Sequence, residues 1–100
     1  MVKTVFEMNG TTLIAKPVGE LDSTSSPVFE EELRQRLPGV GDLIVDFEKV
    51  GYISSAGLRV LLVMEQYMED HDTEMKLIHV NEHIMEIFDM VGFLDVVTVE

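Results

Sequence analysis

The stretch DLIVDFEKVGYISSAGLRVLL, residues 42–62, decides the fold of this chain of 100 residues. It begins with a short apolar run, 43–45, followed by Asp46 and a brief connector, which is typical of a buried strand and the loop after it. Ser54 and Ser55 come next, and an apolar pattern of helical length follows them. The order predicts a strand, a loop and a helix whose N-terminus carries two serines. A helix start presents unpaired N–H groups and the positive end of the helix dipole, so phosphorylation of a hydroxyl there would change what the surface binds.

The composition is that of a soluble globular domain, with 46% apolar and 26% charged residues. The length predicts a single domain over residues 1–100. No apolar run approaches the roughly 20 residues that a membrane helix needs, and the N-terminus lacks the hydrophobic region of a signal peptide. The chain has no cysteine, so it has no disulfide and no thiolate nucleophile. We therefore expect a cytoplasmic protein that does not associate with membranes.

The formal net charge of −12 limits the classes of partner. Seven lysines and arginines among nineteen acidic residues do not form the basic footprint of a nucleic-acid-binding protein. The same charge argues against binding to an anionic membrane surface. Two interpretations remain open: a protein partner with a basic face, or a charge that serves solubility alone.

Two β-rich runs, Val2–Met8 and Thr11–Val18, flank Asn9-Gly10, and this pattern predicts an N-terminal hairpin with a type I′ turn. Pro17 cannot donate to a sheet ladder and indicates an edge or a bulge at the end of the second strand.

Helical patterns alternate with strands along the rest of the chain. Ser23–Ser26 and Pro27 predict the start of a first helix, which Pro38-Gly39 ends. The central strand, 43–47, is followed by a helix over about 55–69 and a strand over 75–80. Three sets of apolar spacings predict the faces of the three helices: Phe29, Leu33 and Leu37; Leu58, Leu61, Leu62 and Glu65; and Ile84, Ile87, Phe88 and Val91.

Asn81 predicts the N-cap of the last helix and Gly92 its C-terminal end, with a short strand or extended tail over 93–99. The whole pattern predicts an α/β fold, bordering on α+β. We expect a mixed sheet of four to five strands, with an N-terminal hairpin, covered by three to four helices.

This arrangement resembles the STAS domain and, more narrowly, the bacterial anti-sigma factor antagonists. VGELDSTSSPVFEEEL (18–33) resembles the family's G-x-(L/I)-D stretch before its first helix. VDFEKVGYISSAGLRVLL (45–62) resembles its strand, loop and D-S-x-G-L helix start, and MVGFLDVVTV (90–99) its closing helix and strand. The likeness spans nearly the whole chain in the right order, and the central segment is its most specific part.

The resemblance implies roles for particular residues. Ser55 falls on the serine that the family's partner kinase phosphorylates, and Gly57 and Leu58 match the glycine and leucine after it. Asp22 matches the acidic residue before the first helix, which lies near the phosphorylation site in the family. The implied docking surface consists of Asp22, Ser54, Ser55, Gly57, Leu58 and Arg59. Asp46 ends the central strand as the family's aspartate does.

One position departs from the family pattern: where the family has an aspartate directly before the serine, this chain has Ser54. Ser54 is therefore the alternative phosphorylation site. A plain structural role also stays open, since serines commonly cap helices and contribute about 1 kcal/mol there.

Other polar residues have two interpretations each. Asp22 either orients the acceptor hydroxyl, a metal or a partner's lysine, or caps the first helix. Asp46 is expected to meet loop N–H groups at the strand end. His79 and His83 are separated by a strand–helix junction, so we expect no metal site and no cofactor. Met64 and Met68 either fill the core or form an adaptable docking surface.

No enzyme motif occurs: the chain lacks the G-x-S-x-G nucleophile elbow, the P-loop and the dinucleotide fingerprint. The resemblance implies a partner-switching regulator that binds an anti-sigma factor serine kinase, is phosphorylated by it, and is restored by a serine phosphatase. Two alternatives stay open: a STAS module with a secretion or biofilm signalling partner, and a small hydrolase or nucleotide-binding protein.

Overall fold

Five strands form one mixed sheet in the computed structural model, which describes residues 3–100. The strands are β1 (Lys3–Asn9), β2 (Thr12–Val18), β3 (Leu43–Asp46), β4 (Met75–Ile78) and β5 (Thr98–Val99). They lie side by side in the order of the chain, β1-β2-β3-β4-β5. β1 is antiparallel to β2, and every other neighbouring pair is parallel. The predicted N-terminal hairpin and mixed sheet are confirmed, while Val2, the first residue of the predicted strand, lies outside the described residues.

The helices are α1 (Ser26–Arg36), α2 (Ser55–Asp70) and α3 (Glu82–Met90), with a 3₁₀ helix over Phe93–Asp95. Gly10 lies in the hairpin turn with φ of 64°, and Gly92 follows α3 with φ of 74°, so both predicted glycine positions adopt the left-handed conformation. The predicted type I′ turn is wrong, because Asn9 is the last residue of β1 and lacks the positive φ that such a turn requires. Asn9 pairs with Thr12, so Gly10 and Thr11 form the turn. Asn81 caps α3, since its side-chain oxygen accepts a hydrogen bond from the N–H of Ile84 at 2.8 Å.

The prediction for Pro17 is wrong in one respect. β2 is not an edge strand, because it lies between β1 and β3. Pro17 is tolerated because β3 pairs only with Leu13, Ile14 and Ala15 of β2, so the missing N–H falls beyond that ladder.

The core lies against one face of the sheet. Alternate strand residues such as Leu13, Val45 and Leu77 are buried there among helix residues such as Phe29 and Phe88. The intervening strand residues, which point to the other face, are only half-buried; examples are Ile14, Ile44 and Ile78. The fold is therefore a sheet with its helical core on one side.

The buried face of α2 differs from the predicted one. It consists of residues spaced by three or four: Gly57, Val60, Leu61, Met64 and Met68. Of the predicted face, Leu61 is buried, Leu58 and Glu65 are half-buried, and Leu62 is 42% exposed. Apolar residues surround much of this helix, so periodicity alone did not identify the side that meets the sheet. Met64 and Met68 fill the core.

The face of α3 is confirmed for Ile84 and Phe88, which are buried, while Ile87 is half-buried. Val91 is 57% exposed and does not belong to that face. It lies at the C-cap, one residue beyond the last helical turn, where helical spacing no longer sets the side chain's direction.

Glu65 is a polar residue on the flank of α2 that the core partly covers. Its Oε2 atom is buried and has no hydrogen-bond partner among residues 3–100. Burial raises the pKa of the Glu65 carboxyl above its ordinary value of 4.5, and the charges of Glu69 and Glu74 raise it further. The ionised form is therefore less favourable in the folded chain than in the unfolded chain.

We expect Glu65→Gln to raise the free energy of unfolding at neutral pH by up to about 1 kcal/mol, because it removes a partly desolvated charge. The raised pKa means that the destabilisation by wild-type Glu65 is absent below about pH 4.5 and grows as pH rises above it. Urea unfolding at pH 4 and pH 7.5 measures this difference. Glu86→Gln, a substitution at an exposed glutamate, is the control. An increase in the free energy of unfolding of Glu65→Gln that is equal at both pH values would contradict the explanation.

Candidate functional site

Two loops meet beside the N-terminus of α2. The segment after β2 and the segment after β3 form a parallel bridge between Leu21 and Ile53. The N–H of Leu21 donates to the carbonyl of Tyr52 at 3.0 Å, and the N–H of Ser54 donates to the carbonyl of Leu21 at 2.9 Å. Leu21 and Ile53 are themselves buried. The pairing brings Asp22 and the two serines, which are distant in sequence, onto neighbouring backbone segments.

Ser54 occupies the N-cap position of α2, but its side chain does not cap the helix. Its hydroxyl donates instead to the carbonyl of Leu21 at 3.1 Å. The side chain is half-buried. Ser54 therefore ties the two loops together, and the capping interpretation is wrong for this residue.

Ser55 is the first residue of α2, and it is exposed. Its position puts the hydroxyl next to N–H groups of the first turn that have no partner within the helix. A negative group at this place is stabilised by the helix dipole. Of the two serines, Ser55 is the one whose hydroxyl is open to another macromolecule.

Gly57 is buried at the closest approach of α2 to the paired loops. A Cβ atom at this position would lie 2.6 Å from Cγ1 of Ile53 and 2.9 Å from the carbonyl oxygen of Leu21. Real Cβ atoms essentially never approach heavy atoms so closely. The glycine thus serves the packing of the helix start against the loop pair.

Asp22 lies next to this region, and its carboxylate is committed to its own loop. Oδ1 accepts hydrogen bonds from the N–H groups of Thr24 and Ser25, both at 2.9 Å. These N–H groups, that of Ser25 first, hold the pKa of Asp22 below its ordinary value of 3.8. This geometry supports the interpretation that Asp22 shapes the entry to α1; the described contacts of its carboxylate do not include Ser54 or Ser55.

Asp46 ends β3 and meets a loop N–H group, as the sequence indicates. Burial alone would raise its pKa, but the N–H of Glu48 and the ring of His79 outweigh burial, and the pKa is lowered. Oδ1 accepts from Glu48 at 2.9 Å and lies 2.8 Å from Nδ1 of His79. His79 has a φ of 58°, an unusual conformation for a residue other than glycine. This pair connects the ends of β3 and β4 and is a structural element.

An apolar groove of about 300 Å³ begins at Ser55, and we call it the α2–α3 groove. One wall is the first two turns of α2, and the other is the corner between α3 and the 3₁₀ helix. Its lining residues are Ser55, Leu58, Arg59, Leu62, Val91, Gly92, Phe93 and Val96. Leu58 and Arg59, expected at the docking surface, are thus brought together with Ser55.

The sequence reasoning missed two kinds of residue at this site. Val91 was assigned to a buried helix face and Val96 to a strand or tail, yet both are exposed beside Ser55. Ser25 was one of several possible caps, yet it is fully buried, and its hydroxyl donates to the carbonyl of Glu20 at 2.6 Å. Gly92, which ends the helix directly after Val91, was the sequence signal that Val91 lies outside the buried helix face.

Within residues 3–100 there is no group of three or more His, Cys, Asp or Glu side chains that could hold a metal ion. Among the helices that the structure describes, none has the length and apolarity to cross a bilayer. The geometry around Ser55 offers an exposed hydroxyl, a helix N-terminus and an apolar groove, which together suit recognition and modification by another protein.

Among protein-family models, that of the STAS domain matches residues 3–100. Among curated proteins, BtrV of Bordetella bronchiseptica, a candidate anti-sigma factor antagonist, is 33% identical over 85 residues. That alignment covers 84% of this chain and 73% of BtrV.

Solved structures share the fold. A candidate anti-sigma factor antagonist of Thermotoga maritima has a TM-score of 0.92 at 15% identity, covering 96% of this chain and 84% of the other. The unphosphorylated anti-sigma factor antagonist SpoIIAA has a TM-score of 0.77 at 17% identity, covering 98% and 87%. The phosphorylated form of SpoIIAA, from Bacillus, has a TM-score of 0.76 at 18% identity, covering 98% and 91%.

We expect Gly57→Ala to lower the free energy of unfolding by about 1–3 kcal/mol, because the new methyl group overlaps the Leu21 carbonyl and Ile53. Thermal unfolding followed by circular dichroism measures the effect. Gly51→Ala is the matched control, since a Cβ atom there meets nothing within 4 Å. Equal stability of the two variants would refute the close-approach argument.

Proposed function

The chain belongs to the STAS-domain family of anti-sigma factor antagonists, and we propose that it is a partner-switching regulator controlled by phosphorylation of Ser55. The observation that carries this proposal is the exposed position of Ser55 at the first residue of α2, within the sequence S-A-G-L that matches the family motif. In this proposal the protein is a substrate and a binding partner rather than an enzyme.

The choice of Ser55 over Ser54 rests on the different surroundings of the two hydroxyls. A kinase needs the acceptor oxygen free and accessible. The Ser54 hydroxyl is half-buried and already donates to the Leu21 carbonyl. Modification of Ser54 would break that bond and open the loop pair, whereas Ser55 requires no such rearrangement.

A phosphate on Ser55 adds about −1.5 to −2 charges at the positive end of the α2 dipole, where the folded chain tolerates it. The phosphate is less favourable in the complex than in the free chain, because binding of the partner would desolvate the dianion and bring it near any acidic group of the partner. The phosphorylated form therefore has a lower affinity for the partner than the unphosphorylated form, and the complex dissociates without refolding of this chain.

The proposed partners follow from the family. Unphosphorylated protein binds an anti-sigma factor that is a serine kinase, which frees a sigma factor and so regulates transcription. The kinase uses ATP to phosphorylate Ser55, and a metal-dependent serine phosphatase removes the phosphate. Because sigma factors act on RNA polymerase, this cycle takes place in the cytoplasm. That SpoIIAA has been solved with and without phosphate supports this cycle for a protein of the same fold.

The proposed docking surface combines the residues around the helix start. Ser55, Leu58 and Arg59 supply exposed or half-buried groups to it. Gly57 and Ser54 act indirectly. Gly57 permits the close approach of α2 to Leu21, and the Ser54 hydroxyl stabilises this approach by its hydrogen bond to the Leu21 carbonyl. Asp22 contributes by fixing the neighbouring loop.

We expect incubation with the cognate anti-sigma factor kinase and ATP to add one phosphate, which peptide mass spectrometry will place on Ser55. Ser54→Ala is expected to remain a substrate, and Ser55→Ala is expected to lose phosphorylation. A kinase that modifies Ser54 alone, or that fails to modify either serine although it binds the protein, would refute the proposed site.

We expect Ser55→Asp to weaken binding to the same kinase by tenfold or more, because a buried unpaired charge costs several kcal/mol and about 1.4 kcal/mol corresponds to a factor of ten. Isothermal titration calorimetry measures the affinity. Ser55→Asn introduces a side chain of nearly the same shape as aspartate but without its charge. The affinity of this variant for the kinase should lie within a few-fold of that of the wild type. Equal weakening by both variants would show that size, not charge, releases the partner.

A further inference from the structure

β1 is the outermost strand of the sheet, and among residues 3–100 its outer side pairs with no other strand. The N–H of Leu13 in β2 donates to the carbonyl of Asp42, just before β3. Because backbone groups alternate in direction along a strand, those of Ile14 face β1 and its pairing partner Glu7. Glu7 therefore directs its backbone inward, and the residues that alternate with it direct theirs outward. The outward-facing residues are Thr4, Phe6 and Met8.

This edge lacks the features that usually protect an edge strand from pairing with another chain, such as proline, a bulge or short length. β1 has seven residues, none of them proline, and only two are charged. Its one-to-one register, from Lys3 opposite Val18 to Asn9 opposite Thr12, contains no bulge. The opposite edge, β5, has two residues. A long free edge on one side only favours a closed pair of strands over an open filament.

The hairpin formed by β1 and β2 is not acidic, although the chain as a whole has a net charge of −12. Residues 3–18 contain Lys3, Lys16 and a single acid, Glu7. Two copies that meet at this edge therefore bring together a part of the chain where their mutual repulsion is weak. Repulsion between the more distant acids is screened over about 8 Å at physiological ionic strength.

We propose that β1 pairs in antiparallel fashion with β1 of a second copy of this chain, about a two-fold axis at Val5. In this register Lys3 lies opposite Glu7 of the partner subunit, so the two-fold symmetry forms the ion pair twice. Lys3, Val5 and Glu7 are all exposed, and their alternate spacing puts them on one face of the sheet. The dimer joins two five-stranded sheets into one.

The register is set by backbone direction and by charge. An axis between two residues would place outward-facing backbone groups opposite inward-facing ones, so the hydrogen bonds between the strands could not form. An axis at Phe6 leaves Glu7 opposite Val5 and forms no ion pair, and an axis at Glu7 places two like charges opposite each other. The axis at Val5 pairs outward-facing Thr4 with outward-facing Phe6, a β-branched residue opposite an aromatic one, which is a favourable cross-strand pair.

Cross-linking tests the register, because the chain has no cysteine and a single introduced one is unique. The two Val5 residues form a pair without backbone hydrogen bonds, with Cα atoms about 4.5 Å apart, a distance that a disulfide spans. Val5→Cys should therefore form a disulfide-linked dimer on mild oxidation, as seen by electrophoresis without reductant. Met8→Cys is the control, since Met8 is also exposed but its two copies lie six residues apart along the strands, about 20 Å.

A charge exchange tests the ion pairs, with sedimentation equilibrium as the measurement. Wild type should show a monomer–dimer equilibrium. Lys3→Glu and Glu7→Lys, each alone, should raise the dissociation constant of the dimer at least tenfold, because each places two pairs of like charges across the axis. An equimolar mixture of the two variants should restore dimerisation, since every pair is then of opposite charge. An effect of net charge alone would instead strengthen the dimer of Glu7→Lys, and circular dichroism checks that each variant is folded.

Two results would overturn the proposal. One is a wild-type chain that stays monomeric up to its solubility limit while Val5→Cys cross-links no better than Met8→Cys. The other is protection of the β1 amides from hydrogen exchange only after the anti-sigma factor kinase is added, which would assign the edge to a strand of another protein. The dimerisation measurements need no kinase and do not involve Ser55, so their failure leaves the proposed function standing, and the reverse also holds.

Discussion

The backbone carbonyl of Leu21 holds the functional region together. It accepts hydrogen bonds from the N–H of Ser54 and from the Ser54 hydroxyl, at 2.9 and 3.1 Å. It also lies so close to α2 that only glycine fits at position 57. One buried acceptor thus sets the distance between the two loops, fixes the residue before the helix and places the first turn of α2. Any change that displaces this carbonyl also displaces Ser55.

This arrangement divides two tasks between two adjacent serines. Ser54 uses its hydroxyl to close the loop pair, and so it belongs to the scaffold. Ser55, one residue later, turns outward because it begins the helix, and so it is open to modification. The departure from the family's aspartate therefore has a local physical meaning. A serine at position 54 donates a hydrogen bond to a carbonyl, which an ionised aspartate cannot do.

The fold and the site were predictable from sequence to different extents. Strong local signals marked the hairpin turn and both ends of α3. Gly10 and Gly92 adopt the left-handed conformation that few other residues tolerate, and the Asn81 side chain accepts a hydrogen bond from the first turn of α3. The orientation of α2 was not predictable, since Leu58, Leu62 and Val63 are as apolar as the residues that reach the core. The placement of Asp22 beside the segment of Ser54 depends on the Leu21–Ile53 bridge, a contact between segments far apart in sequence. Periodicity carries no information about such contacts.

The proposed function explains both why the sequence does not identify the buried face of α2 and why the chain is acidic. A helix that must meet the sheet on one side and a partner on the other carries two apolar stripes, and this is the pattern that misled the assignment of its buried face. The net charge of −12 disfavours contact between the exposed α2 surfaces of two copies of the chain and at the same time favours a basic partner. Phosphorylation then adds charge to a surface that already lies in a negative field. Its selectivity must come from where the phosphate lies, beside Arg59 and the apolar groove, rather than from the change in total charge.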